Sequence, residues 1–110
     1  MTRIFAATFV VLLAAGSAHA QRVSNVKGVT LLKACKALAT TACDAYVDGF
    51  ADAISAGGKD HALACIPIAA TGTELRDVLV KFLEANPQDQ HLKASSLATR
   101  AFSKAYPCNK

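Results

Sequence analysis

Cys35, Cys43, Cys65 and Cys108 are the residues of this chain with the most distinctive chemistry, and their number and spacing point to disulfide formation. Four is even, and no Cys-x-x-Cys pair offers the close ligand spacing of a zinc site. A catalytic cysteine needs a free thiolate of lowered pKa, which a bridged cysteine cannot supply. No metal and no cofactor are expected. Bridges form and persist in an oxidising compartment, and the first 20 residues supply a route to one. Arg3 precedes an apolar run from Ile4 to Ala15, and Ala18-His19-Ala20 has the small-residue ending that signal peptidase accepts. Residues 1–20 therefore read as a signal peptide, and the working location as outside the cytosol. The apolar run is about half the ~20 residues that a membrane-spanning helix requires, so no stable membrane insertion is expected after cleavage.

Other polar residues offer weaker chemistry. Asp44, Asp48 and Asp52 recur every four residues, which places them on one face of a helix. That face is a solvated surface, a recognition surface, or an ion-pair seam with Lys93, Arg100 and Lys104 of a later helix. His61 and His91 stand alone in connectors, where a structural histidine is the commoner occurrence, and His19 leaves with the signal. There is no Gly-x-Ser-x-Gly elbow and no His-Glu-x-x-His pair, so the chain is not expected to be an enzyme. The formal net charge is +4 and falls to +3 once Arg3 is removed. No Lys/Arg run interleaves with the few aromatics, all Phe or Tyr, as a nucleic-acid binder requires.

These residues must be positioned by helices, because sustained period-two alternation is absent and four stretches carry helical spacing. The class is all-α, a small four-helix up-down bundle stapled by two disulfides. Residues 21–27 form a flexible N-terminal segment, and 28–108 the helical domain. The first helix spans about Val29–Ala39, with Leu31, Leu32, Cys35, Leu38 and Ala39 inward. The second starts at Thr40 or Thr41, buries Cys43, Val47, Phe50 and Ile54, and ends before Gly57-Gly58. On its flank, Ala45, Gly49 and Ala53 leave a smooth strip suited to close helix packing, within the chain more than between chains. After the connector Gly57–Ala70, in which His61–Ile66 has room for one helical turn, Thr71-Gly72-Thr73-Glu74 fits a capping box that opens the third helix. Leu75, Val78, Leu79, Phe82 and Leu83 face inward there, Asp77 and Lys81 pair, and Asn86-Pro87 stops it. The fourth runs from Gln90 or Leu92 to Ala105. In an up-down order Cys35 lies near Cys43, while Cys65 and Cys108 share the other pole. The preferred pairs are Cys35 with Cys43 and Cys65 with Cys108.

Taken in order, these signals resemble the Rap/Tai family of immunity proteins, which neutralise peptidoglycan amidases delivered by type VI secretion. Leu32 and Cys35 match, and Cys43, Tyr46, Gly49, Asp52 and Ala53 reproduce a Cys-x-x-Tyr-x-x-Gly-x-x-Asp-Ala run. Cys65-x-Pro67, Leu75, Phe82-Leu83, Pro87, His91-Leu92-x-Ala94, Leu97, Ala101 and Tyr106-Pro107-Cys108 continue the match. Ile68-Ala69-Ala70 stands where the family typically has Glu-Gly-Val, and Lys93 replaces a common proline. Both departures fall in connectors and bear on the partner more than on the fold. The resemblance implies a periplasmic helical protein, often a homodimer, that occludes the cleft of a cognate amidase effector. Contact through Gly58, Lys59, Asp60 and His61, with Gln88, Asp89 and Gln90, is the expectation. The alternative is a small periplasmic acid-stress chaperone or a generic envelope binding module. Eight acidic residues and two staples argue against acid-triggered opening.

Overall fold

The computed structural model describes residues 25–58 and 61–109. The signal segment 1–20, residues 21–24, Lys59, Asp60 and Lys110 lie outside the described residues. Four helices make the fold: α1 Gly28–Lys36, α2 Thr41–Ser55, α3 Gly72–Ala85 and α4 Ala94–Ala105, with a 3₁₀ turn Pro87–Asp89 before α4. Among the described residues there is no strand, only a single antiparallel bridge between Lys27 and Lys93. Each helix packs against the other three.

The core is the helical stripe of each element turned to one centre. Leu31 and Cys35 come from α1, Cys43, Val47, Ala51 and Ile54 from α2, and Leu75, Leu79 and Leu83 from α3. Ala94, Leu97, Ala98, Ala101 and Phe102 come from α4, and among the described residues no polar residue is buried with them. Both disulfides form in the expected pairs, Cys35 with Cys43 and Cys65 with Cys108, and no described cysteine is free. The first holds the short α1–α2 corner. The second ties the connector to the end of the chain.

Helix ends follow local chemistry. Thr71 caps α3 as a full capping box: the Glu74 N–H donates to Thr71 Oγ1 at 3.1 Å, and the Thr71 N–H donates to Glu74 Oε2 at 3.3 Å. Past α2, Gly57 and Gly58 adopt φ of +88° and +68°, which suits residues without a Cβ. Asn86 closes α3, its Nδ2 donating to the Phe82 carbonyl at 2.8 Å.

Several boundaries differ from expectation. Helix α1 stops at Lys36, because Ala37 turns extended at ψ 159° so that Cys35 can meet Cys43 across the corner. Leu38, expected inside, is therefore fully exposed. Phe50 is only half-buried, stacked beside Tyr46 and tilted against Phe102, and Ala51 takes the buried position. No helix forms over His61–Ile66. A single turn closes there, with His61 and Ala62 donating to the Gly58 carbonyl, and the backbone is then held from outside: Leu63 N–H to the Ile54 carbonyl and Cys65 N–H to the Tyr106 carbonyl. Helix α4 begins at Ala94, not at Gln90 or Leu92. Residues 87–92 are consumed by the 3₁₀ turn and by carbonyls that accept from Gly28 and Val29. Val26 packs on the core and its carbonyl accepts from the Ala94 N–H at 2.8 Å.

Candidate functional site

The expected contact residues fall into two groups at the two ends of α4. Gly58 and His61 are exposed in the loop that leaves α2, next to Leu63, whose carbonyl accepts from Ser103 Oγ near the C-terminal end of α4. Gln88, Asp89 and Gln90 lie in the turn that enters α4, where Gln90 Nε2 donates to the Leu83 carbonyl at 2.9 Å. Asp89 pairs there with Arg100 at 3.2 Å, and that guanidinium also lies 5.6 Å from the Phe82 ring centre. Twelve helical residues separate the two groups, roughly 18 Å at 1.5 Å per residue. They do not form one contiguous patch. Gln90 and Asp89 are tied to the scaffold, whereas His61 makes only a backbone bond to Gly58.

The aspartate stripe of α2 divides. Asp44 Oδ2 accepts from Thr40 Oγ1 at 2.8 Å, and Asp44 Oδ1 pairs with Arg76 of α3 at 2.7 Å. Arg76 also donates to Thr40 Oγ1. The Thr40 hydrogen bond, followed by that of Arg76, lowers the Asp44 pKa below its ordinary value. Among the described residues, Asp48 and Asp52 have neither a hydrogen bond nor an ion pair. The seam to Lys93, Arg100 and Lys104 does not form among the described residues: Arg100 turns to Asp89, and Lys93 and Lys104 have no ion-pair partner there. Asp77 and Lys81 also fail to pair, while Lys36 and Glu84 meet at 2.7 Å across α1 and α3. Sequence reading missed Arg76 and Glu84, because their partners lie dozens of positions away and nothing local marks them.

Asp48 and Asp52 instead border a groove of about 490 Å³ between α2 and the connector. Ala51, Ile66 and Leu75 supply apolar wall, and Pro67, Ile68 and Ala70 form its other bank. At Gly72 a Cβ would stand 3.2 Å from Asp48 Oδ1, so the absent side chain lets the carboxylate approach the first turn of α3. A negative charge is favoured at that end of a helix.

The remaining family-motif positions read as follows. Tyr46 is half-buried and stacks on Phe50 at 5.8 Å between ring centres, and burial raises its pKa. Pro107 is exposed beside the Cys65–Cys108 bridge, and His91 is exposed before α4. Gly49 is also exposed, with nothing among the described residues within 4 Å of a Cβ built on it, so the close approach expected within the chain does not occur there. The small-residue strip Ala45, Gly49 and Ala53 faces outward. The close approach of the fold is at Gly28 instead, where a Cβ would overlap Leu97 Cδ1 and lie 3.1 Å from the Gln90 carbonyl oxygen.

Residues 27–108, from the Lys27 bridge to the second cysteine of the Cys65–Cys108 pair, match the family model of Rap1a immunity proteins. The chain belongs to this family. The match takes in all four helices and both bridges of this Rap1a protein, together with the loop at Gly58 and the turn at Gln88. Neither the curated proteins nor the solved structures contain a match to it.

Proposed function

We propose that this Rap1a protein is exported, loses residues 1–20, and acts in the periplasm by binding and occluding a peptidoglycan amidase delivered by type VI secretion. The family match over residues 27–108 carries the reading. Two bridged cysteine pairs agree with an oxidising compartment. A stapled scaffold also loses little entropy when its loops dock, which favours inhibition by obstruction.

The contact runs along one side of α4, with the loop Gly58–His61 as the principal element and the Gln88–Gln90 turn as support. An interface of ordinary size covers about 800 Å² per partner, roughly 28 Å across, and so can span both groups. The protein works as a monomer or a homodimer in this reading, and the outward small-residue strip of α2 is the surface a second copy would use.

The test is survival. Cells that receive the amidase in their periplasm are expected to survive when they express the full chain and to lyse when they express residues 21–110 without the signal. The surviving cells should yield a complex of the amidase with the chain. Lysis in both arms, with the oxidised protein present in the periplasm, overturns the assignment for that amidase class.

A further inference from the structure

We infer that the groove between α2 and the connector receives a cationic, apolar segment of the partner protein, with Asp48 and Asp52 as its charge-reading groups. Four observations converge. The groove is concave, about 490 Å³, and walled by Ala51, Ile66 and Leu75. Among the described residues, both carboxylates at its border lack a hydrogen-bond or ion-pair partner, and no lysine or arginine lines it. Arg76, next in the chain to the lining residue Leu75, is committed to Asp44 and Thr40. Ile68 stands on the bank of the groove with its side chain fully exposed.

The charge arrangement runs against the molecule as a whole. A chain with net charge +4 has only eight carboxylate side chains, yet two of them stand one helical turn apart with no ion-pair partner among the described residues. Like charges at that spacing destabilise a helix by a few tenths of a kcal/mol, and the cost is removed when a cation binds between them. A lysine or arginine stem fits the apolar wall while its head meets both carboxylates. The frame is rigid: the Cys65–Cys108 bridge holds one end of the connector, and the Thr71 capping box holds the other. Such a site pays little ordering cost on binding. The groove also adjoins the Gly58 loop, since Ser55 and Ile66 line both this groove and the depression beside Gly58. The inference rests on the protein-binding reading above for the identity of the partner, but its chemistry is tested without one.

Two acetylated, amidated tetrapeptides, Leu-Arg-Leu-Lys and Leu-Glu-Leu-Glu, are titrated into the ¹⁵N-labelled chain purified after export, and amide shifts are followed. The cationic peptide is expected to shift amides within 48–55 and 66–75, and the acidic one to leave them unmoved. The double variant D48N/D52N should weaken the cationic peptide about tenfold, the sum expected for two exposed ion pairs. D77N, an exposed carboxylate on α3, should leave it unchanged. Equal responses to both peptides, shifts confined to other surfaces, or undiminished binding by D48N/D52N would overturn the inference. Self-association that D48N/D52N abolishes in sedimentation would assign the groove to a second copy and overturn it equally. Peptide binding without protection from the amidase leaves the groove assignment standing and removes the functional reading alone.

Discussion

Glycine has opposite meanings at two helical positions of this protein. Gly28 opens α1 where any Cβ would overlap Leu97 and crowd the Gln90 carbonyl, in the layer where α1 meets the start of α4. Gly28→Ala should destabilise by about 1–3 kcal/mol, the range of core overpacking, read as a drop in the urea midpoint. Gly49 sits exposed within α2 with open space around it. Gly49→Ala should stabilise by about 0.5–1 kcal/mol through helix propensity, unless a partner covers that strip. A loss of effector binding in a more stable Gly49→Ala variant would mark the strip as an interface. Asp44 supplies the pH dependence. Its pKa is lowered by Thr40 and Arg76, so its contribution is fully present above its ordinary value near 3.8 and vanishes as pH falls through the lowered one. Urea midpoints measured from pH 5 to pH 2 should therefore separate wild type from Asp44→Asn at the upper end and converge at the lower. Curves that stay parallel throughout would show that the network does not contribute.

The capping box at Thr71 and the two cysteine pairs were legible in the sequence because each is a local or topological signal. Thr71 and Glu74 stand at fixed offsets, and the helical order alone brings the correct cysteines to the same corner. The buried stripes of α3 and α4 were legible for the same reason. What the sequence concealed is set by distant partners. Leu38 continues the periodicity of α1, but the Cys35–Cys43 closure turns the chain before it can be buried. Arg76 satisfies Asp44, 32 positions away, and so breaks a stripe that reads as uniform. The groove is invisible from spacing, because one bank is irregular connector. Two predictions follow at this scale. Thr71→Ala should cost about 1 kcal/mol, as the loss of an N-cap does, while Thr71→Ser should retain nearly all stability. Replacing Cys65 and Cys108 together by serine should cost about 4 kcal/mol, against about 2.5 for Cys35 and Cys43 together, because the first bridge closes a loop of 43 positions and the second one of 8. Equal losses for the two pairs in denaturant titrations would contradict the loop-length account.

At the scale of the whole molecule, the two bridges tie the fold to an oxidising environment. Among the described residues no polar residue is buried, and the core is built largely of alanine, leucine and the buried Cys35–Cys43 bridge, with the Cys65–Cys108 bridge half-buried beside it, so apolar burial is modest for four helices. The two bridges together contribute about 6 kcal/mol by loop closure, of the order of the entire stability of a small domain, about 5–15 kcal/mol. Reduction should therefore lower the melting temperature by at least about 25 °C, at 4–8 °C per kcal/mol for a chain of this size. The check is a pair of thermal melts by circular dichroism, oxidised and in excess phosphine reductant, at one protein concentration. A reduced form that melts within a few degrees of the oxidised one would show that packing alone sustains the bundle. In that case a protein lacking its signal would fold in a reducing cytosol as well, and its failure to protect from there would reflect location alone. A large drop instead means, in the proposed reading, that export makes the protein foldable as well as placing it beside the amidase. The two contributions separate experimentally, since oxidised protein supplied directly to effector in vitro should inhibit it with no export step at all.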